Sequence, residues 1–218
     1  MKGLFIKDIK LLKNQKSFVF IFGAVILIYL FTDITAMSAI GYATFVGTIF
    51  VISTISYDEY DNGNAFLFTL PFLRKDYVRE KYLFTLLTGG GLWLLSTAAS
   101  AICDVVRHPD TVVSDYISAS LLIASMFFLI ISVMLPIQLK YGGNRGMIAM
   151  ILVAGAVSLA VYIAAKLTAL FGIDILAMFD ALQAGSLHVF SFLCLAAAAI
   201  GMFLSMQISM RIVEKKEF

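Results

Sequence analysis

Long apolar runs separated by short polar segments are the dominant pattern along this chain. Most of the runs have about the twenty residues that a helix needs to cross a hydrocarbon core about 30 Å thick. Backbone polar groups in lipid must be hydrogen-bonded internally, so each run is expected to be a helix. The pattern predicts an all-α polytopic membrane protein, one domain over residues 1–218, with six transmembrane helices. The predicted spans are Ser17–Phe31, Thr35–Ser56, Tyr82–Ile102, Tyr116–Leu139, Met147–Phe171 and Leu187–Met210.

Residues 1–16 have a different pattern, because lysines alternate with apolar residues at helical spacing. The apolar side chains share one side of a helical wheel: Leu4, Phe5, Ile9 and Leu12. Lysines occupy the other side: Lys7, Lys10 and Lys13. This pattern is typical of a helix that lies in the membrane interface. A lysine-rich start before an apolar run is also typical of a signal peptide. The long amphipathic stretch and the five further runs favour the interfacial helix.

Composition narrows the class of protein. Apolar residues make up 61% of the 218 residues and charged residues 14%, whereas globular domains average about 45–50% and about 25%. A soluble domain of this size cannot bury so much apolar surface in one core. Soluble enzymes, disordered proteins and nucleic-acid binders are therefore poor interpretations. Cys103 and Cys194 form no CxxC or other metal-binding spacing, which argues against a zinc or thioredoxin-type site.

The distribution of Lys and Arg predicts the orientation of the spans. Fourteen of the sixteen lie in the N-terminal segment, in Tyr57–Lys81, in the turn between the fourth and fifth runs, and in the C-terminal tail. The other two are Arg107 and Lys166. Because cytoplasmic loops carry the excess of positive charge, both termini are predicted to be cytoplasmic and Arg107 to lie outside.

Candidate chemistry inside the spans is sparse. Ionisable groups at membrane depth mark functional sites, and here Lys166 either contacts an acidic or peptide substrate or, as we favour, snorkels to the outer headgroups. Glu80 and Lys81 are expected to be solvated at the mouth of the third span. His108 and His188 have no metal-spaced partner. The glycine run from Thr88 to Gly91 predicts a close helix approach or a bend rather than a phosphate site.

The sequence contains no HExxH, GxSxG or GxxxxGK[ST] motif. Such motifs supply the groups for zinc proteolysis, acyl transfer and phosphate binding. No catalytic residue, no metal site and no cofactor is therefore predicted in this chain, and a membrane-embedded enzyme lacks candidate groups.

The most informative segment is 57–81, which reads YDEYDNGNAFLFTLP followed by FLRKDYVREK. It begins acidic, becomes apolar at Ala65–Phe68, breaks at Pro71 and restarts as a charged amphipathic helix. A calcium loop is rejected, because Tyr60 occupies a ligand position and no glutamate closes the loop. An apolar cluster in a cytoplasmic loop is expected to fill a partner's groove or to lie on the membrane surface.

Three features together resemble the permease subunits of ABC-2-class transporters. They are the N-terminal MKGLFIKDIKLLKNQK, the segment YDEYDNGNAFLFTLP with RKDYVREKY after it, and the plan of six spans with both ends inside. More narrowly, the chain is similar to small six-helix bacterial permeases related to the phenol-soluble-modulin exporter and to antimicrobial-peptide resistance systems. One departure is Leu73 before Arg74, where relatives often have a capping serine.

The resemblance implies a role for each polar segment. Residues 1–16 would form an elbow helix, 57–81 would carry a coupling helix seated in a groove of a separate ABC ATPase, and 172–186 would form a partly re-entrant outer loop. That ATPase would bind ATP and Mg, and a second permease subunit would pair with this one. The implied coupling residues are Asp58, Glu59, Asn62, Phe66, Leu67, Leu70 and Arg74.

The predicted function is the membrane subunit of an ATP-driven exporter in the bacterial cell membrane. Because the spans lack charges for an ion or sugar phosphate, the expected substrate is amphipathic: a peptide toxin, an antimicrobial peptide or a lipid-like molecule. A non-transporting scaffold or sensor that binds a cytoplasmic partner explains the apolar cytoplasmic cluster equally well. The sequence leaves open the substrate, the direction of transport, homodimer against heterodimer, and the residues lining the path.

Overall fold

The computed structural model describes residues 2–14, 20, 23–24, 27, 36–60, 63–69, 71–107, 113–170 and 175–216. Every regular element in these ranges is an α-helix, which confirms the predicted all-α class. The helices are α1 (Lys2–Asn14), α2 (Ala36–Glu59), α3 (Gly63–Leu67), α4 (Arg74–Arg107), α5 (Val113–Tyr141), α6 (Gly143–Leu170) and α7 (Ile175–Lys215).

Four of these helices are long and apolar enough to cross a membrane. They are α2, α4, α5 and α7, with candidate spans at Met37–Glu59, Arg74–Val106, Tyr116–Tyr141 and Leu187–Lys215. They match the second, third, fourth and sixth predicted runs. The fifth run corresponds to α6, whose described apolar stretch is Ile148–Leu159. The first run lies almost entirely outside the described residues, so the number six stays a prediction.

The bundle core is built from the apolar faces of α2, α4, α5 and α7. Helices α5 and α7 pack most extensively, and α2 packs against both α4 and α5. The centre of the core is fully buried at Val51, Ile55, Phe84, Ile131 and Leu135. The opposite faces of the same helices leave large apolar side chains exposed, among them Leu95, Ile130 and Phe192. Exposed apolar side chains of this number are expected where the surface of a membrane protein contacts lipid.

Two glycines allow approaches that a larger residue prevents. A Cβ atom at Gly89 would collide with the Phe127 ring of α5, so the close helix approach predicted from the glycine run is present there. Gly142 joins α5 to α6 with a φ of 65°, a left-handed conformation that favours glycine. Its N–H donates to the Gln138 carbonyl at 2.8 Å, which closes the end of α5.

The last helix is longer than a membrane crossing requires. Its 41 residues correspond to about 60 Å at 1.5 Å per residue. Residues 175–186 of the predicted outer loop therefore belong to the same helix as the sixth span. The re-entrant placement of this segment stays a prediction.

Candidate coupling site at one end of the bundle

The polar segments of the chain meet at one end of the bundle, which we call the charged end. Lys7 of α1 contacts Asp58 at the end of α2. Lys216 lies 3.1 Å from Glu59 and donates to the Leu139 carbonyl of α5 at 3.0 Å. The segments that carry the excess of Lys and Arg in the sequence therefore lie together. This placement gathers the elbow helix, the predicted coupling segment and the C-terminal tail at one surface.

A cluster of ionisable groups lies at the charged end between α1, α2 and α4, and all of its members are buried except Lys7, whose side chain is 30% exposed. We call Lys7, Asp8, Asp58, Glu80 and Lys81 the buried ion cluster. Lys81 contacts Asp8 and lies 2.9 Å from Asp58, and Lys7 contacts Asp58 and lies 3.3 Å from Asp8. These contacts join residues that are far apart in the sequence, so the cluster fastens three helices together.

Neighbouring hydroxyl groups add hydrogen bonds to Asp58 and Lys81 of the cluster. The Tyr77 hydroxyl donates to Asp58 Oδ2 at 3.1 Å, and Lys81 Nζ donates to Thr54 Oγ1 at 3.2 Å. Buried charges are tolerated only when partners replace the lost water. Lys81 has such partners from α1, α2 and its own helix.

The prediction that Glu80 and Lys81 are solvated is wrong, because both side chains have 0% exposure. The physical reason is the position of α1, which covers the start of the third span. Leu4 of α1 is buried in the bundle core, and the Phe5 ring meets the Phe84 ring edge-on at 5.9 Å between centroids. The elbow helix thus excludes water from the residues beneath it.

The predicted apolar side of α1 divides into two parts in the structure. Leu4, Phe5 and Leu12 pack against the bundle core. Ile9 is 50% exposed and points away from the core. Three of the four elbow residues therefore attach α1 to the bundle, and Ile9 is available to the surroundings.

The predicted coupling segment forms a short helix between α2 and α4. Asp58 and Glu59 end α2, and α3 carries Phe66 and Leu67. Phe66 is 72% exposed, whereas the next side chain, Leu67, is buried in the core at 9%. Two other predicted residues, Asn62 and Leu70, lie outside the described residues. Phe66 therefore faces outward, whereas Leu67 anchors α3 in the core.

Aromatic contacts hold the end of α3 against α4. The Phe68 ring lies 5.9 Å from the Phe72 ring and 5.5 Å from the Tyr77 ring. The same Phe68 ring lies beneath the Arg74 guanidinium at 5.8 Å. Aromatic pairs of this geometry add about 0.5–1.5 kcal/mol beyond their area burial. The segment is thus a packed element rather than a solvated loop.

Arg74 links the coupling segment to the C-terminal end of α7. Its Nη1 donates to the carbonyls of Val213 at 3.3 Å, Glu214 at 3.0 Å and Lys216 at 2.8 Å. The last carbonyls of a helix lack partners within the helix, so Arg74 satisfies groups that would otherwise need water. Lys75 adds a contact of 3.0 Å to Glu214.

The charged end offers an exposed apolar surface around α3. Tyr60, Phe66 and Leu73 are mostly exposed around α3. Across the ranges that the structure describes, no group of three or more His, Cys, Asp or Glu side chains can hold a metal ion.

The fold defines a polytopic membrane protein whose polar segments meet at one end. A family profile described as ABC-2 family transporter protein matches residues 3–214. The chain therefore belongs to the ABC-2 transporter family and is a membrane permease subunit of an ABC transporter, a class that associates with an ABC ATPase. No curated protein sequence and no solved structure matches the chain significantly. The narrower likeness to phenol-soluble-modulin exporter permeases stays a prediction.

Sequence reasoning missed the buried ion cluster as a unit. Lys7 and Asp58 are 51 positions apart, and Lys81 and Asp8 are 73 apart. The available signals were an aspartate among the lysines of α1 and a Glu-Lys pair directly before a span. Neither signal identifies its partner, because the pairing depends on how α1 lies over α4.

Proposed function

We propose that this chain is the permease of an ATP-driven exporter and that its partner ATPase docks on α3 around Phe66. The observation that carries the proposal is the contrast between Phe66, exposed, and Leu67, buried. An exposed aromatic on a packed helix is the kind of anchor that fills a partner's pocket. Burying such a side chain contributes about 1.5–3 kcal/mol.

A movement of α3 can be transmitted to the spans through packed contacts. Leu67 enters the core, and Phe68 contacts Tyr77 of α4. Tyr77 donates to Asp58 of α2, which also binds Lys7 of α1. These packed contacts support movement of α3 together with the ends of α1, α2 and α4.

The seven predicted coupling residues divide into two roles in this proposal. Phe66 touches the ATPase directly, and Asn62 and Leu70 stay candidates for direct contact. Asp58, Glu59, Leu67 and Arg74 act by holding the segment in place, since their side chains bind other parts of this chain.

ATP hydrolysis by the exporter takes place in the partner ATPase. The chain has no GxxxxGK[ST] phosphate loop, so ATP and Mg would bind to the ATPase subunits. Two permease subunits would pair across the substrate path, as identical or related copies. The charged end would face the cytoplasm, because it gathers the excess of Lys and Arg.

The substrate class we propose is amphipathic. An apolar groove of about 270 Å³ opens between α1, α2 and α4 and is lined by Leu12, Val46, Phe50 and Leu92 among others. Such a lining suits an acyl chain or apolar side chains, and not an ion or a sugar phosphate. Export of a peptide or lipid-like molecule fits this character.

Purification with and without the ATPase tests the proposal. The isolated chain should hydrolyse no ATP, and the cognate ATPase should form a stable complex that contains two copies of each chain. Reconstituted in vesicles, that complex should move an amphipathic peptide or lipid in an ATP-dependent manner. A stable complex would favour a scaffold or sensor if it transports neither the peptide nor the lipid and if neither molecule changes its rate of ATP hydrolysis. ATP hydrolysis by the isolated chain would contradict the proposal.

A further inference from the structure

One member of the buried ion cluster has no hydrogen-bond partner among the described residues. The Glu80 side chain has 0% exposure, and neither of its carboxyl oxygens has a hydrogen-bond partner in the described part of the chain. An ionised carboxylate that is buried without a partner is strongly unfavourable, so such a group takes up a proton or a cation instead. This residue lies just before the apolar run of the third span, at the charged end.

The charge balance of the cluster identifies Glu80 as the surplus carboxylate. The charged groups whose fields act on Glu80 are Lys81 on its own helix, Lys7 and Asp8 on α1, and Asp58 on α2. Each lysine contacts both aspartates, so two positive charges balance two negative charges. An ionised Glu80 would add an uncompensated negative charge on a side chain that has no exposure to water.

We propose that Glu80 is a proton-binding site and that its carboxyl group is protonated in the resting protein at neutral pH. The proton makes the cluster neutral and permits α1 to close over the start of α4. A metal ion is a poorer occupant, because no group of three or more metal-ligating side chains exists among the described residues. A proton needs only the carboxyl oxygen itself.

The second unsatisfied oxygen in the cluster supports this assignment. Asp8 Oδ1 is also buried without a hydrogen-bond partner in the described ranges, with only the Lys7 ammonium 3.3 Å away. A protonated carboxyl can donate one hydrogen bond, which an ionised one cannot. The cluster therefore contains an unsatisfied acceptor on Asp8, a residue whose charge acts on Glu80.

Infrared spectroscopy of the full chain in lipid nanodiscs tests the proposal without transport. A protonated carboxyl has a C=O stretching band that an ionised carboxylate lacks. At neutral pH this band should be present, should shift when glutamate carries heavy carbon in its side-chain carboxyl, and should be lost in Glu80→Gln. The matched control is Glu214→Gln, whose carboxylate is 44% exposed and pairs with Lys75; it should leave the band unchanged.

A second variant tests the charge balance independently. Asp8→Asn removes one negative charge, so Glu80 should ionise and the band should be lost at neutral pH. Three results would overturn the proposal: a band that persists in Glu80→Gln, a band that does not shift with labelled glutamate, or a band that Asp8→Asn leaves unchanged. Failure of these tests leaves the docking of an ATPase on Phe66 untouched, because that proposal rests on α3.

Discussion

The Lys81 ammonium lies 2.9 Å from Asp58 Oδ2, and both side chains are closed to solvent. One residue begins the third span and the other ends the second span, so the pair joins the two helices at the charged end. The same ammonium contacts Asp8 of the elbow helix. Lys81 is therefore the single cation that touches all three helices of the buried ion cluster in the described structure.

Removing the Lys81 charge is expected to destabilise the bundle strongly. Lys81→Met leaves two buried aspartates short of a cation, which costs about 3–5 kcal/mol. Thermal unfolding in detergent checks this. The control is Lys75→Met, which breaks an exposed ion pair with Glu214 and is expected to cost about 0–1 kcal/mol. Equal effects of the two variants would show that the buried ion cluster does not hold the helices together.

The close approach of α4 and α5 predicts opposite outcomes at adjacent glycines. Gly89→Ala places a methyl group against the Phe127 ring, and overpacking of this kind costs about 1–3 kcal/mol. Gly90→Ala meets nothing within 4 Å and should be neutral or stabilising by up to about 1 kcal/mol. The denaturation midpoints of the two variants measure this difference in stability. Phe127→Leu should partly rescue Gly89→Ala, and a lack of any difference between the glycines would contradict the packing.

Arg74 is expected to keep the C-terminal end of α7 packed, so that Val213 stays buried. Arg74→Ala removes the donor to three terminal carbonyls, so the neighbouring Val213, only 2% exposed, should become accessible. A Val213→Cys reporter, with Cys103 and Cys194 replaced by serine, should react with a thiol reagent faster in the Arg74→Ala background. Arg79→Ala is the control, because Arg79 is half-exposed and, among the described residues, pairs with Asp76 of its own helix. Slow labelling in both backgrounds would argue against this role.

Arg74→Lys tests whether the geometry of the guanidinium matters. Lysine keeps the charge but replaces a planar fork with a point donor. It should therefore restore only part of the protection of the Val213→Cys reporter. Full protection would mean that charge alone is sufficient at this position.

The charge asymmetry predicts which end of the bundle faces the cytoplasm. In the cysteine-free background, Val106→Cys, at an exposed position, should react with an impermeant thiol reagent in intact cells. Lys75→Cys at the charged end should react only after the membrane is opened. The reverse pattern would invert the orientation and place the coupling segment out of reach of an ATPase.

The apolar pattern was sufficient to predict four of the membrane-crossing helices. The runs that begin at Thr35, Tyr82, Tyr116 and Leu187 each correspond to a long apolar helix, because helix formation in lipid depends on local composition. The close approach at Gly89 followed from the same local signal. These features need no knowledge of which helix lies beside which.

The site could be predicted only in part, because its contacts depend on tertiary packing. Phe66 and Leu67 are adjacent and both apolar, and only the placement of α3 decides which one is exposed. Arg74 reaches carbonyls more than 130 positions away. Lys81 was expected in water because nothing in its own neighbourhood reveals that α1 covers it.

The central claim is that an ATPase binds this permease through Phe66. The most direct measurement is the affinity of the purified ATPase for the chain in nanodiscs, compared between Phe66→Asp and Phe66→Leu. The account predicts a correctly folded Phe66→Asp protein whose affinity falls by at least about tenfold, the equivalent of 1.4 kcal/mol, while Phe66→Leu retains most of it. Unchanged binding and transport in a folded Phe66→Asp protein would contradict the account.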